Sequence, residues 1–153
     1  HLGRPKGQVD PEFSMAPVAR RLSELLEQEV QLITNFKVPE TRARVELLEN
    51  LRFDPGETTG DTDLAKKLAQ FGDVYINDAF GTTHRNHASN IELPKLFSEK
   101  YYGLLIEKEL HYLNECTYDP VRPMTLVLGG AKINGKIELI EKFLLIKKLS
   151  VII

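Results

Sequence analysis

Across 153 residues the sequence contains one cysteine and four histidines, and no apolar run near the roughly 18 residues needed to span a bilayer. The lone Cys116 has no internal disulfide partner, and the histidines are too scattered for a zinc-ligand spacing; both features fit a reducing, cytoplasmic setting with no protein-held metal. The excess of one sign of charge over the other is also small. The formal net charge is -2, so there is no broad basic field to grip nucleic acid through its phosphates, and any anion site has to be local. His1-Leu2-Gly3-Arg4 leads into no apolar core, so no signal peptide is expected in this stretch, and the β-branched run Val151-Ile152-Ile153 stops with nothing after it. Both ends read as cut, and neither a membrane nor nucleic acid is expected as a partner.

What is present has the proportions of a globular protein, with 42% apolar and 27% charged residues. Met15, Val18, Leu22 and Leu25 recur at helical spacing behind Ser14 and predict a helix to about Glu27. Val30 to Ile33 and Val45 to Leu48 read as strands around a loop-like 35–42 stretch. Asp61 or Thr62 can cap a helix with Leu64, Leu68 and Phe71 on one face and Gly72 as its stop; Val74 to Ile76 then returns to strand. Ile106, Leu110 and Leu113 mark another helix. After Asp119-Pro120 and Pro123, the continuous apolar run Met124 to Leu128 predicts a buried strand, and Ile137, Ile140 and Phe143 predict a helix leading to a last strand. Strands alternating with helices predict an α/β fold: a three-layer α/β/α arrangement around a mainly parallel, Rossmann-like sheet. Ligands in such folds gather beyond the carboxyl ends of the strands.

Four segments could carry chemistry. His1-Leu2-Gly3-Arg4-Pro5 sets an imidazole and a guanidinium around a turn glycine, able to give two donors to one anion; a plain polar turn is the competing reading. Arg52, just past a strand and between Leu51 and Phe53, needs an anionic partner, either a ligand or a salt bridge to Glu49 or Asp54. Asn77 to Arg85 follows a strand with small and polar residues, and reads either as a phosphate cradle converging on Arg85 or as a turn bonded to itself. His84 and His87 lack a third metal ligand nearby in sequence. Gly129-Gly130-Ala131-Lys132-Ile133-Asn134-Gly135-Lys136 lies between a strand and a helix, where free amides and two lysines suit phosphate. Ile137 stands where a P-loop needs its magnesium-binding hydroxyl, which argues against a P-loop nucleotidase, while a simple glycine-rich turn stays open.

Taken in order, His1 to Gly7, Leu47 to Phe53, Asn77 to Arg85 and Leu128 to Lys132 resemble successive signatures of the phosphoglycerate kinase family, with Phe13 to Val18 and Glu107 to Leu110 matching in the intervals. The resemblance implies a two-domain hinged kinase truncated at both ends. Residues 1–103 would be the 3-phosphoglycerate-binding domain without its first strands, 104–118 the interdomain helix and linker, and 119–153 the first β-α-β of the nucleotide domain. It further implies substrate binding by His1, Leu2, Gly3, Arg4, Arg52 and Arg85, nucleotide binding by Gly130, Ala131, Lys132 and Lys136, and a catalytic role for Lys132 at the transferring phosphoryl group. Magnesium would arrive with ADP or ATP, with no protein ligand for it in this stretch. The implied reaction is phosphoryl transfer between 1,3-bisphosphoglycerate and ADP, giving 3-phosphoglycerate and ATP, by a cytoplasmic enzyme of glycolysis that is a monomer when intact. This stretch alone is expected to be inactive. An anion-binding or interaction module without turnover is the competing function. Gly135 in place of an acidic residue, a short 35–44 segment and Ile91-Glu92-Leu93 in place of a glycine-containing stretch depart from the family pattern.

Overall fold

The computed structural model describes residues 1–118, 121–129, 136–145 and 151–152, which group into two compact units, His1–Gly103 and Leu104–Ile153. In the first unit, α1 (Ala16–Leu26) begins with Pro17 in its first turn, where the missing amide leaves no bond unmade. Ser14 Oγ accepts from the Ala16 amide, and Glu27 closes the helix in a left-handed conformation. Ser23 then ties the helix to the next element: its hydroxyl donates to the Ala19 carbonyl and accepts from the Val30 amide. That amide opens β1 (Val30–Ile33), which pairs in parallel with β2 (Val45–Leu48), Val30 opposite Val45 and Ile33 opposite Leu48.

A short helix, α2 (Pro55–Thr59), starts at Asp54, whose carboxylate accepts from the Gly56 amide, and stops at Gly60 with φ +73°. One residue later Asp61 accepts from the Leu64 amide and caps α3 (Thr62–Ala69). The Leu64/Leu68 face of α3 forms a hydrophobic core with Ala88 and the flanking Leu48, Leu51 and Leu93. Gln70, ahead of Gly72, ends this helix. β3 (Val74–Asn77) pairs in parallel with β4 (Glu99–Tyr102). The apolar side chains of β3 stay open, Ile76 being 61% exposed.

In the second unit, α4 (Leu104–Tyr118) buries Ile106. β5 (Thr125–Leu126), α5 (Lys136–Leu145) and β6 (Val151–Ile152) follow, with β5 and β6 paired in parallel, so this unit contains a β-α-β. The expected buried strand over 124–128 is shorter and more open than the apolar run predicts: two residues form strand and Val127 is 72% exposed. A single neighbouring strand among the described residues gives that run one partner, too little to bury both faces. Every strand pairing among the described residues is parallel, as the α/β reading requires. No helix among them is long and apolar enough to cross a membrane.

Candidate functional site

The carboxyl end of β2 leads into Glu49 and Asn50, two buried polar residues that assemble the site. Glu49 Oε1 accepts from the Met15 amide at 2.6 Å and the Asn50 amide at 2.8 Å, and Oε2 from the Ser14 hydroxyl at 2.8 Å. Burial pushes the Glu49 carboxyl up, but the three hydrogen bonds outweigh it and leave the group below its ordinary value. Asn50, 1% exposed, uses both ends of its amide. Nδ2 donates to the carbonyls of Leu2 (2.7 Å) and Phe13 (3.0 Å), and Oδ1 accepts from the amides of Leu2 (3.4 Å) and Arg52 (3.2 Å).

That scaffold fixes Arg52. Its guanidinium donates to the Gly3 carbonyl at 2.7 Å, while the Gly7 amide donates back to the Arg52 carbonyl at 3.2 Å. Gly3 sits at φ +59°, where a Cβ would lie 2.3 Å from the Phe13 ring, so no larger residue fits the turn. The alternative salt bridges for Arg52 are not made: Glu49 is occupied as described, and Asp54 caps α2.

Arg85 arrives from a turn that is bonded to itself. Asn77 Oδ1 accepts from the Ala79 amide, the hydroxyls of Thr82 and Thr83 donate to the carbonyls of Ala79 and Phe80, and Asn90 reaches the Thr82 carbonyl at 2.6 Å. The self-bonded reading therefore holds for the Asn77–Thr83 part, and the hydroxyls expected to converge on a ligand are engaged internally. Arg85 is what the turn presents. It lines a cavity of about 290 Å³ together with Arg4, Lys6, Arg52, Thr58 and His87. Its Nε is itself buried, with no hydrogen-bond partner among the described residues. Burial first, then the like charges of Arg85 and Arg4, push Arg52 below its usual pKa, against the pull of Glu57. A larger recess of about 550 Å³ carries Asp10, Glu49 and Asp54 with apolar neighbours, and offers no cation to an anion.

His1 lies behind this cavity. Its Nε2 is 2.5 Å from Oε1 of Glu57, a fully buried carboxylate that also accepts from the Ser89 hydroxyl (2.6 Å) and amide (3.1 Å). His87 Nδ1 lies 3.4 Å from the same Oε1, out of hydrogen-bonding alignment. Burial holds His87 below its ordinary pKa, with Arg52, Arg85 and His84 adding to that and Glu57 opposing it. Leu2 contributes through its backbone, its side chain being exposed. Of the residues predicted for substrate, Arg4, Arg52 and Arg85 thus meet at one cavity, Gly3 and Leu2 support Arg52, and His1 stands one layer back. Gly130, Ala131 and Lys132 lie outside the described residues, as does the side chain of Lys136, which opens α5. Sequence reasoning did not place Lys6, Thr58 or His87 at the cavity, and it missed Glu57 altogether. A glutamate in Pro-Gly-Glu-Thr-Thr reads as an exposed turn residue, and only the packing of α2 against the 88–92 segment buries it.

These features define an α/β protein in which three arginines, brought from distant parts of the chain, line one small pocket. The family description "Phosphoglycerate kinase" matches residues 1–153. A phosphoglycerate kinase of Thermosipho africanus is 49% identical over 152 residues, covering 94% of this chain and 38% of that protein. One of Chlorobium chlorochromatii is 46% identical over the full chain and 40% of the relative. Among solved structures, the phosphoglycerate kinase of Coxiella burnetii superposes with TM-score 0.85 at 37% identity, over 99% of this chain and 39% of that one. The chain belongs to the phosphoglycerate kinase family, and it spans about 38–40% of the length of these relatives.

Proposed function

We propose that the chain is the acid-binding part, with the start of the nucleotide-binding part, of a phosphoglycerate kinase. The whole protein moves a phosphoryl group between the acyl phosphate of 1,3-bisphosphoglycerate and ADP, giving 3-phosphoglycerate and ATP, as a cytoplasmic, monomeric enzyme of glycolysis. The observation that supports this is the shared cavity of Arg4, Arg52 and Arg85, whose cations repel one another and call for a counter-anion. A small acid with a phosphate and a carboxylate meets that need, because each guanidinium offers a planar fork to two oxygens. A pocket of about 290 Å³ suits a three-carbon acid and is too small for a nucleotide beside it.

In this reading Arg52, anchored to the Gly3 carbonyl, and Arg85, held by its turn, orient the acid, and Arg4 and Lys6 add charge at the rim. Phosphoryl transfer through a loose transition state depends on positioning and on cations around the equatorial oxygens, with little need for a protein nucleophile. Lys132 would supply one such cation and Gly130, Ala131 and Lys136 the nucleotide contacts, with magnesium entering as part of the nucleotide substrate. The 104–118 stretch would be the connection between the two halves. This stretch alone binds the acid without turnover.

Calorimetric titration of the chain with 3-phosphoglycerate tests the reading. One saturable site is expected, weakened roughly 10- to 100-fold by Arg85→Ala, the loss of about 1.5–3 kcal/mol of charge-assisted hydrogen bonding. Equal affinity for inorganic sulfate and 3-phosphoglycerate, unaltered by Arg85→Ala, would favour a nonspecific anion module instead.

A further inference from the structure

Behind the arginine pocket, His1 Nε2, Glu57 Oε1 and His87 Nδ1 come from three separated segments and lie within 4.8 Å of one another. All three groups are nearly enclosed: the His1 ring is 11% exposed, the His87 side chain 7%, and Glu57 not at all. A buried carboxylate flanked by two imidazoles is ordinarily explained by hydrogen bonding, and for His1 that explanation suffices. It fails for His87. Its Nδ1 is buried, lies within 4.8 Å of the other two ligand atoms and has no hydrogen-bond partner among the described residues, although Glu57 Oε1 is 3.4 Å away. That distance is the ligand-to-ligand spacing of a tetrahedral site with bonds of about 2.1 Å, which works out at about 3.4 Å.

We propose that His1, Glu57 and His87 form a site for one divalent d-block cation, with zinc as the fitting member. The cation takes the place of the proton shared between His1 and Glu57. Their 2.5 Å contact then opens to the coordination spacing, a change that falls on His1 because it belongs to an exposed loop while Glu57 is fixed. Ser89 holds Glu57 from behind, with its amide at 3.1 Å and its hydroxyl on Oε1 at 2.6 Å, as carboxylate ligands in built metal sites are held by a supporting hydrogen bond. Two imidazoles and one carboxylate select borderline ions such as zinc and cobalt over magnesium, which demands oxygen ligands. Arg52 and Arg85 oppose a cation here, so its retention depends on the full donor set. The site differs from the magnesium that accompanies a nucleotide, and it stands whether or not the pocket in front takes phosphoglycerate.

The test is zinc competition against a chromophoric chelator, together with the visible spectrum of the Co2+ form, in phosphate-free buffer. One equivalent is expected, with the intense Co2+ absorption of low coordination number, and excess Mg2+ leaves it in place. His87→Gln should weaken zinc binding at least roughly tenfold, since even loss of a supporting partner costs roughly 10–100-fold. Glu57→Gln should do the same if the variant folds, which circular dichroism reports; if it does not fold, His87→Gln decides. The exposed pair His111 and Glu115, 3.5 Å apart on α4, is a ready adventitious site. His111→Gln should leave the binding intact. Zinc binding unaffected by His87→Gln, binding abolished by His111→Gln, or no stoichiometric binding would each overturn the proposal.

Discussion

Replacing Arg52 with alanine separates a ligand-binding arginine from a structural one. Among the described residues this side chain makes one charge-assisted hydrogen bond, to the Gly3 carbonyl at 2.7 Å, and is repelled by Arg85 and Arg4. Losing the bond destabilises the fold, and losing the repulsion stabilises it. Partial exposure reduces both, so the net change in stability is expected to be about 1 kcal/mol or less. Binding has no such cancellation. A phosphate or carboxylate that loses one guanidinium fork gives up about 1.5–3 kcal/mol, a roughly 10- to 100-fold weaker affinity for 3-phosphoglycerate. Arg52→Lys restores the charge without the fork and should fall between the two. Wild-type affinity should also decline between 0.01 M and 0.15 M salt, as the screening length shrinks from about 30 Å to about 8 Å. Calorimetry for binding and urea denaturation for stability are run on the same variants. A stability loss above about 3 kcal/mol with unchanged affinity would refute the reasoning and make Arg52 a strut for the 1–7 loop.

Gly3→Ala combines left-handed strain of about 1–2 kcal/mol with overpacking of about 1–3 kcal/mol against Phe13, so urea denaturation should show a loss of at least about 2 kcal/mol; under about 0.5 kcal/mol would contradict the turn as described. Leu64→Ala, in the core with Leu68 and Ala88, should cost about 2–5 kcal/mol by the same measurement. Because the Glu49 carboxyl is held below its ordinary value in the fold, it contributes stability that is fully present above the unfolded pKa of about 4.3 and is lost as pH falls through the lower folded value. Denaturation profiles of the wild type and Glu49→Gln should therefore differ at pH 7 and converge on acidification; a gap that widens in acid would reverse the assigned sign.

Much of the first unit was legible in the sequence because local signals agreed there. Val30–Ile33 and Val45–Leu48 are β-prone runs with clear edges, and Asp61 ahead of Leu64 and Leu68 announces a capped amphipathic helix. Glu99–Tyr102 gave no such signal: its side chains are all exposed, and its place is set by backbone pairing with Val74–Asn77, which leaves no hydrophobic pattern behind. The arginines of the pocket could be singled out because a cation after a strand needs a partner, but their convergence is a property of the fold. Glu57 and His87 were hidden for the opposite reason. Each looks like a solvent-facing residue in a polar segment, and their burial exists only once the 55–59 and 88–92 segments meet.

The single amide of Asn50 holds Leu2, Phe13 and Arg52 at once. Substitutions in those three stretches are consequently not independent: an alteration that moves one of these backbone groups shifts the optimum for the other two. In divergent relatives the three stretches should therefore drift together or stay put together, and grafting any one of them alone into a distant homologue should fail where transplanting the trio succeeds.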